Sequence, residues 1–349
     1  MNPADRGTIR EPAAPGLGGV LADSSERELI ARILRRLPPP PDWMAVGIGD
    51  DAAVVEPERN RLDVLSVDAL VEGVHFDRAF TPPDAIGHRA LAVNLSDLAA
   101  MGATPRLCLL SLVLPGGWPV ADFEAMLDGL LALAARHRMH VVGGNLARSP
   151  GPLIIDITVS GTIKRRQIVT RSGASPGDEL YVTGSIGAAA AGLEMLRESG
   201  ASGSPCATRY LYPEPRVRLG QLVARNRAAS ACVDLSDGLA DAVHRLAEAS
   251  GVGAIVDDEA LPIEPSARGW FDQRAGDASL RAVTGGDDYE LLLAVRPRAR
   301  RRLAQVTRHA GTPLTRIGVC TADRAIVLRS GPEDQRHDKP LPGGYGHFR

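Results

Sequence analysis

Residues 170–187 read TRSGASPGDELYVTGSIG, and the division of the chain turns on them. Gly173 and the Pro176-Gly177 pair break the backbone, ELYVT is a short strand, and Gly184 and Gly187 make a turn. Upstream, SSERELIARILRRL (24–37) opens with a Ser25/Glu28 capping box and keeps apolar residues at helical spacing until the PPPP of 38–41 stops it. RLDVLSVDAL alternates as a strand, and Pro82 and Pro83 open a helix that closes at Gly102. LCLLSLVL is a buried strand, Pro119 starts a helix reaching Arg136, and HVVGG and PLIIDITVSGTI are strands. Downstream, helices over AAAAGLEML, PRVRLGQLVARN, GLADAVHRLAEAS and RARRRLAQVTRHA alternate with strands ASACVDL, GAIVDD and YELLLAV. This order predicts an α/β chain of the α+β type, with two α/β domains in tandem. The expected boundaries are a loose tail over 1–23, an N-terminal domain over 24–165 and a C-terminal domain over 166–349.

Composition excludes several functions. Apolar residues at 44% and charged residues at 23% describe a globular chain with a real core, and a net charge of −2 gives no electrostatic case for nucleic acid or an acidic membrane. There is no apolar run of membrane-spanning length and no signal-like core, so a cytoplasmic protein is expected. Cys108, Cys206, Cys232 and Cys320 are scattered without a C-x-x-C pair, which argues against zinc or a disulfide framework. Lys164 and Lys339 are the only lysines, so all but two of the 40 basic residues are arginine. The chain therefore has neither a G-x-x-x-x-G-K-[ST] phosphate loop nor a kinase-type strand lysine.

The acids are the unusual feature. GIGDDAAVV (47–55) sets Asp50 and Asp51 side by side before an apolar run. Two unit charges ~4 Å apart repel by about 4 kcal/mol at an effective dielectric near 20. Asp68, Asp97, Asp234, Asp237, Asp287 and Asp288, with Asn145, also fall at strand ends, in glycine turns or in an apolar helix. Loop acids are ordinarily solvated turn formers, but Asp97 and Asp234 stand in apolar surroundings, where an unpaired carboxylate is costly. Several Mg²⁺ ions would resolve the conflict, since Mg²⁺ takes a few carboxylates and completes its shell with substrate phosphates. GIGDDA also fits G-x-G-x-x-A, yet the segment before it is proline-rich, AVVE after it continues like a strand rather than opening a helix, and its acids would repel a pyrophosphate.

Eight motifs occur in the order found in the thiamine-monophosphate kinase family. They are GIGDDAAVV, SVDALVEGVHF (66–76), LAVNLSDLAAMGATP (91–105), VVGGN (141–145), TRSGASPGD, VDLSDGLADAVHRLAEASGVGA (233–254), GGDDYELL (285–292) and GGYGHF (343–348). The chain resembles that family over residues 24–349, within the superfamily of aminoimidazole ribonucleotide synthetase. The resemblance implies two α/β domains of that fold, with N-terminal domains pairing in a homodimer through a joint β-barrel. It implies transfer of the γ-phosphate of ATP to thiamine monophosphate, giving thiamine diphosphate. The family's Mg²⁺ positions fall on Asp51, Ser66, Val67, Asp68, Asp97, Asn145, Asp234 and Asp237, with Asp97 and Asp237 as the acids central to catalysis. Its ATP contacts fall on Gly144, Asn145, Arg171 and Ser236, and its acceptor contacts on His75, Asp287 and Tyr345. Asn145 stands where the family carries aspartate, Val67 where it carries threonine, Asp287 where it carries glutamate and Gly346 where it carries aspartate.

The residues alone leave blander roles open. His75 reads equally as a structural histidine, Arg171 as a surface arginine and Tyr345 as tail packing. The competing functions are another ATP-using member of the superfamily and a non-catalytic nucleotide-binding protein. The chemistry agrees with the resemblance. A phosphate monoester is already an anionic nucleophile, so its phosphorylation asks for charge screening and in-line placement rather than a general base.

Overall fold

The computed structural model describes residues 18–200, 203–274, 276–332 and 334–344. The N-terminal half runs α1 (Glu26–Arg36), β1 (Met44–Val46), β2 (Val54–Val55), β3 (Leu62–Val71), α2 (Pro83–Ala100), β4 (Thr104–Pro115), α3 (Val120–Arg136), β5 (His140–Ser149) and β6 (Ile154–Ile163). The C-terminal half runs β7 (Glu179–Thr183), α4 (Ala188–Ser199), α5 (Pro205–Leu211), α6 (Val217–Asn226), β8 (Ala231–Asp234), α7 (Leu239–Ser250), β9 (Gly253–Asp257), α8 (Pro265–Asp272), α9 (Ala278–Thr284), β10 (Leu291–Val295), α10 (Arg300–Ala310), β11 (Leu314–Thr321), β12 (Ile326–Ser330) and β13 (His337–Pro340).

The predicted capping box forms: the Ser25 N–H donates to Glu28 Oε2 at 2.7 Å and the Glu28 N–H to Ser25 Oγ at 3.3 Å. Residues 18–23, expected to belong to a loose tail, lie instead against the N-terminal half. The Leu21 N–H donates to the Trp118 carbonyl at 2.9 Å, and Leu21 is buried. Its apolar side chain gains more from a place in the N-terminal core than from solvent.

Among the described residues, the N-terminal sheet has the order β3-β6-β4-β5, antiparallel except for the parallel β4–β5 pair. The helices α2 and α3 cover one face. They lie backbone to backbone, because a Cβ on Gly87 would stand 1.8 Å from the Met126 carbonyl oxygen and one on Gly129 2.0 Å from that of Asp84. The other face is bare and apolar: Leu65 is 71% exposed, Val67 57% and Leu109 41%. Val67, Thr158, Leu109 and Gly143 lie in register across all four strands.

The C-terminal sheet has the order β13-β12-β9-β11-β7-β10-β8. Strand alternation splits its core. Leu292, Ala294, Ala231 and Val233 pack with α7, α8 and α9, whereas Leu291, Leu293, Val295 and Cys232 join α6 and α10 in one apolar cluster with α2. The two halves thus share a core along α2. The strand β1, the helices α5, α8 and α9 and the strands β11 to β13 are the elements missing from the sequence reading. The three helices have only seven or eight residues each, too few to display a period. Among the described residues, no helix is long and apolar enough to cross a membrane.

Candidate active site

Helix α2 is buried around nearly its whole circumference, yet it carries polar residues at Asn94, Ser96 and Asp97. Each finds a partner on a strand. Asn94 Oδ1 accepts the Asp68 N–H of β3 at 3.1 Å, and Asn94 Nδ2 donates to the Ala90 carbonyl at 3.0 Å. Ser96 Oγ donates to Asp234 Oδ2 at the end of β8, at 2.8 Å. Ser66 Oγ of β3 donates to Asp97 Oδ2. One turn of one helix therefore draws acids from both halves together. Burial without a partner would be costly for these groups, and the hydrogen bonds offset that cost.

The acids line a cavity of about 880 Å³ between the halves, and Asp68, Asp97, Asp234 and Asp237 share it with Arg171, Ser236, His75 and Asp287. Burial, then Asp97, Asp234, Asp156 and Asp237, push the Asp68 carboxyl up to about 7. Burial and then Asp97 push Asp234 up to about 6, with the Ser96 hydroxyl and the Arg171 charge working the other way. Asp237 is drawn toward Arg245, whose Nη2 lies 2.7 Å from its Oδ2. Among the described residues, no three His, Cys, Asp or Glu side chains already stand in metal-holding geometry. The donor chemistry still fits a divalent cation. It consists of carboxylate and hydroxyl oxygens, which suit Mg²⁺, and the mutual repulsion that raises Asp68 and Asp234 is what a cation would relieve.

His75 and Asp287 stand at the same cavity. The Val71 N–H donates to His75 Nδ1 at 3.0 Å, so Nδ1 is an acceptor and the ring proton of the neutral form sits on Nε2. Asp287 occupies the left-handed region at φ +69°, as does Tyr289 at +49°. Asp287 Oδ1 accepts from Arg89 Nη2 at 3.2 Å and from the Tyr289 hydroxyl at 3.1 Å. Its neighbour Asp288 faces elsewhere. It is buried and accepts the N–H groups of Gly187 at 2.7 Å and Ala189 at 3.2 Å, closing the start of α4. Burial pushes it up to about 7 against those hydrogen bonds. Asp288 thus belongs to the fold and not to the acid cluster in which the sequence reading set it. The chain returns to the cavity at Gly343 and Gly344, and Tyr345 lies outside the described residues.

The remaining expected site residues are elsewhere. Asp51, Val67, Gly144 and Asn145 line a second cavity of about 1000 Å³ on the bare face of the N-terminal sheet, with α1 and the 47–53 loop. Asp50 and Asp51 are exposed there, not set against the core. The expected ATP contacts are therefore divided, with Arg171 and Ser236 at the acid cavity and Gly144 and Asn145 at the outer groove. Asp156 lines the outer groove and also raises Asp68, so the field of the acids reaches both sides of β3. Sequence reasoning missed Asn94, Ser96, Arg89, Asp156 and Arg245. The first three had a signal, since polar and charged residues inside an otherwise apolar helix need partners.

Two family models match the chain: the AIR synthase related protein N-terminal domain over residues 49–163 and its C-terminal domain over 175–330. The thiamine-monophosphate kinase of Salmonella typhimurium is 40% identical over 307 residues, covering 85% of this chain and 91% of that relative. A solved thiamine-monophosphate kinase from Stenotrophomonas maltophilia superposes with a TM-score of 0.75 at 37% identity, covering 86% of this chain and 94% of that one. A second structure, AaThiL complexed with AMPPCP and TMP, superposes with a TM-score of 0.73 at 30% identity, covering 92% of this chain and 96% of its own.

Proposed function

We propose that this chain, which belongs to the thiamine-monophosphate kinase branch of the AIR synthase related family, transfers the γ-phosphate of ATP directly to the phosphate of thiamine monophosphate. The observation that carries the proposal is the convergence of four aspartates from both halves on one cavity, beside a histidine donor and a separate carboxylate. The complex of a relative with an ATP analogue and TMP supports the same pair of substrates.

In this reading Asp68, Asp97, Asp234 and Asp237, with Ser66, hold several Mg²⁺ ions. When bound, those ions would screen the phosphates from one another and orient them. Asp97 and Asp237 are the acids we assign to catalysis. Asp51, Val67 and Asn145 extend the metal positions toward the outer groove. Asn145 brings a carbonyl oxygen there without charge. Gly144, Asn145, Arg171 and Ser236 hold ATP, and its phosphates pass from the groove to the cavity around β3, the last strand of its sheet. His75 donates from Nε2 to an acceptor-phosphate oxygen. Asp287 takes a donor group of the acceptor, and Tyr345 offers an aromatic face to its cationic ring. The acceptor phosphate is already anionic, so no residue is asked to remove a proton.

We assign metal binding and pairing to residues 24–165, and much of the acceptor site to 166–349. The bare face carrying Leu65, Val67 and Leu109 is too apolar for solvent, which supports a homodimer joined through these sheets. An ATP-consuming reaction of this kind belongs to the cytoplasm. The test is ADP release with thiamine monophosphate, thiamine and aminoimidazole ribonucleotide precursors offered in turn. Turnover with thiamine monophosphate alone is the expected result. Turnover with a precursor instead, or with none of them, refutes the assignment.

A further inference from the structure

We propose that Arg89 is the positioning residue that sets acceptor affinity, by holding His75 and Asp287 in register across the boundary between the two halves; this rests on the acceptor reading above. Arg89 sits on α2, is 1% exposed and has no role in the acid cluster. Its guanidinium reaches three elements. Nη1 donates to the Tyr210 carbonyl of α5, and the guanidinium carbon lies 4.1 Å from the centre of the Tyr210 ring. Nη2 lies between the Asp287 carboxylate at 3.2 Å and the His75 carbonyl at 3.4 Å. The Tyr210 hydroxyl donates to that same His75 carbonyl at 3.2 Å. Thus one nitrogen spans the turn that presents His75 and the loop that presents Asp287.

The geometry makes this more than packing. Asp287 stands at φ +69° between Gly286 and Asp288, a left-handed backbone that a non-glycine residue keeps only where its surroundings hold it. Arg89 and Tyr289 both donate to Oδ1 of its carboxylate. Those two bonds restrain the carboxylate through Oδ1 and, in this reading, leave Oδ2 for the acceptor. Arg89 Nε is buried without a hydrogen-bond partner among the described residues. The guanidinium therefore accepts a cost at Nε, which suits a side chain placed for reach across the domain boundary rather than for local satisfaction.

The test is a mutant cycle of Arg89→Met, Asp287→Asn and the double variant. It is read by saturation curves for both substrates, by calorimetric binding of thiamine monophosphate without ATP, and by thermal unfolding. Arg89→Met should raise the acceptor KM and Kd by about tenfold or more and leave the ATP KM within about twofold. The double variant should lose no more than the worse single variant, because both changes remove the same oriented carboxylate. Equal rises in both KM values, or losses that multiply in the double variant, overturn the proposal and leave Arg89 a structural residue. If Arg89→Met does not fold, Tyr289→Phe removes only the second donor. It should then raise the acceptor KM alone, by about threefold; an unchanged acceptor KM overturns the proposal. A wild type that forms no thiamine diphosphate overturns the proposed function and this inference with it. Normal wild-type activity with no split between the substrates overturns this inference alone.

Discussion

Asp68→Asn should stabilise the metal-free protein at pH 8 while abolishing its response to Mg²⁺. The Asp68 carboxyl is raised from an ordinary 3.8 to about 7, first by burial and then by the neighbouring acids. A carboxyl raised on folding binds more protons in the native state than in the unfolded one. Its contribution is therefore fully favourable below about pH 3.8 and is lost as the pH climbs through about 7. Between pH 5.5 and 8 the shift corresponds to a loss of about 2 kcal/mol, and the partial exposure of the site reduces that to ~1 kcal/mol. In chelator, wild type should lose about that much across the interval, or a few degrees in unfolding temperature for a chain of this size. Asp68→Asn should not. Mg²⁺ at about a hundred times its Kd adds about 2.7 kcal/mol to wild type. The gain should be larger at pH 8, because at pH 5.5 protons compete for the same oxygens. The assay is thermal unfolding of both proteins at the two pH values, in chelator and in Mg²⁺. An Asp68→Asn protein no more stable than wild type at pH 8 in chelator, or one that keeps the full Mg²⁺ gain, refutes the argument that repulsion among these acids is what a cation relieves.

Asp97→Asn and Asp237→Asn should each lower kcat by about a hundredfold or more with the fold intact by circular dichroism, since each removes one charge from the proposed cation site. Free thiamine should not be turned over, because its hydroxyl would need a general base and His75, the histidine at the cavity, has its acceptor nitrogen Nδ1 engaged by the Val71 N–H; thiamine diphosphate appearing from thiamine by chromatography would contradict this. Asp288→Ala should cost about 1–3 kcal/mol in unfolding experiments, through the Gly187 and Ala189 N–H groups it leaves unpaired, with kcat unchanged in the fraction that remains folded. If the proposed dimer forms through these sheets, Leu65→Lys should shift the protein to monomer in sedimentation velocity, because it sets a charge on the bare apolar sheet face.

Periodicity carried most of the fold. The run 83–100 was legible as a helix from its prolines and its closing glycine, and its apolar character on every side foretold burial. Short elements such as α5 and α9 were not legible, because a helix of two turns is specified by its neighbours more than by its own pattern. The acids were legible as a set because charges in apolar runs demand partners. Their partners were harder to read: Ser96 and Asp234 lie 138 positions apart, and only the fold brings them to 2.8 Å.

Adjacent residues part company in the fold, and backbone geometry explains why. In β3 the pleat sends Ser66 and Asp68 to the acid cavity and Val67 to the outer groove. That division was available from the strand period alone, so the three positions could not have formed one shell within a single sheet face. The pair Asp287 and Asp288 offered no such rule. Their divergence depends on left-handed backbone at 287 and 289, which no period announces. A side chain at positive φ is turned away from the direction its neighbours in an extended loop would take, and here that turn separates a carboxylate at the acid cavity from a carboxylate at the start of α4. The same conformation exposes Asp287 to the reach of Arg89, so the strained backbone and the buried arginine form one device. Replacing Asp287 with glycine would relieve the strain and remove the carboxylate together. Arg89 is buried and Asp287 is its ion-pair partner, so the protein should lose stability together with acceptor affinity; thermal unfolding beside acceptor binding checks both, and a gain in stability would refute the pairing.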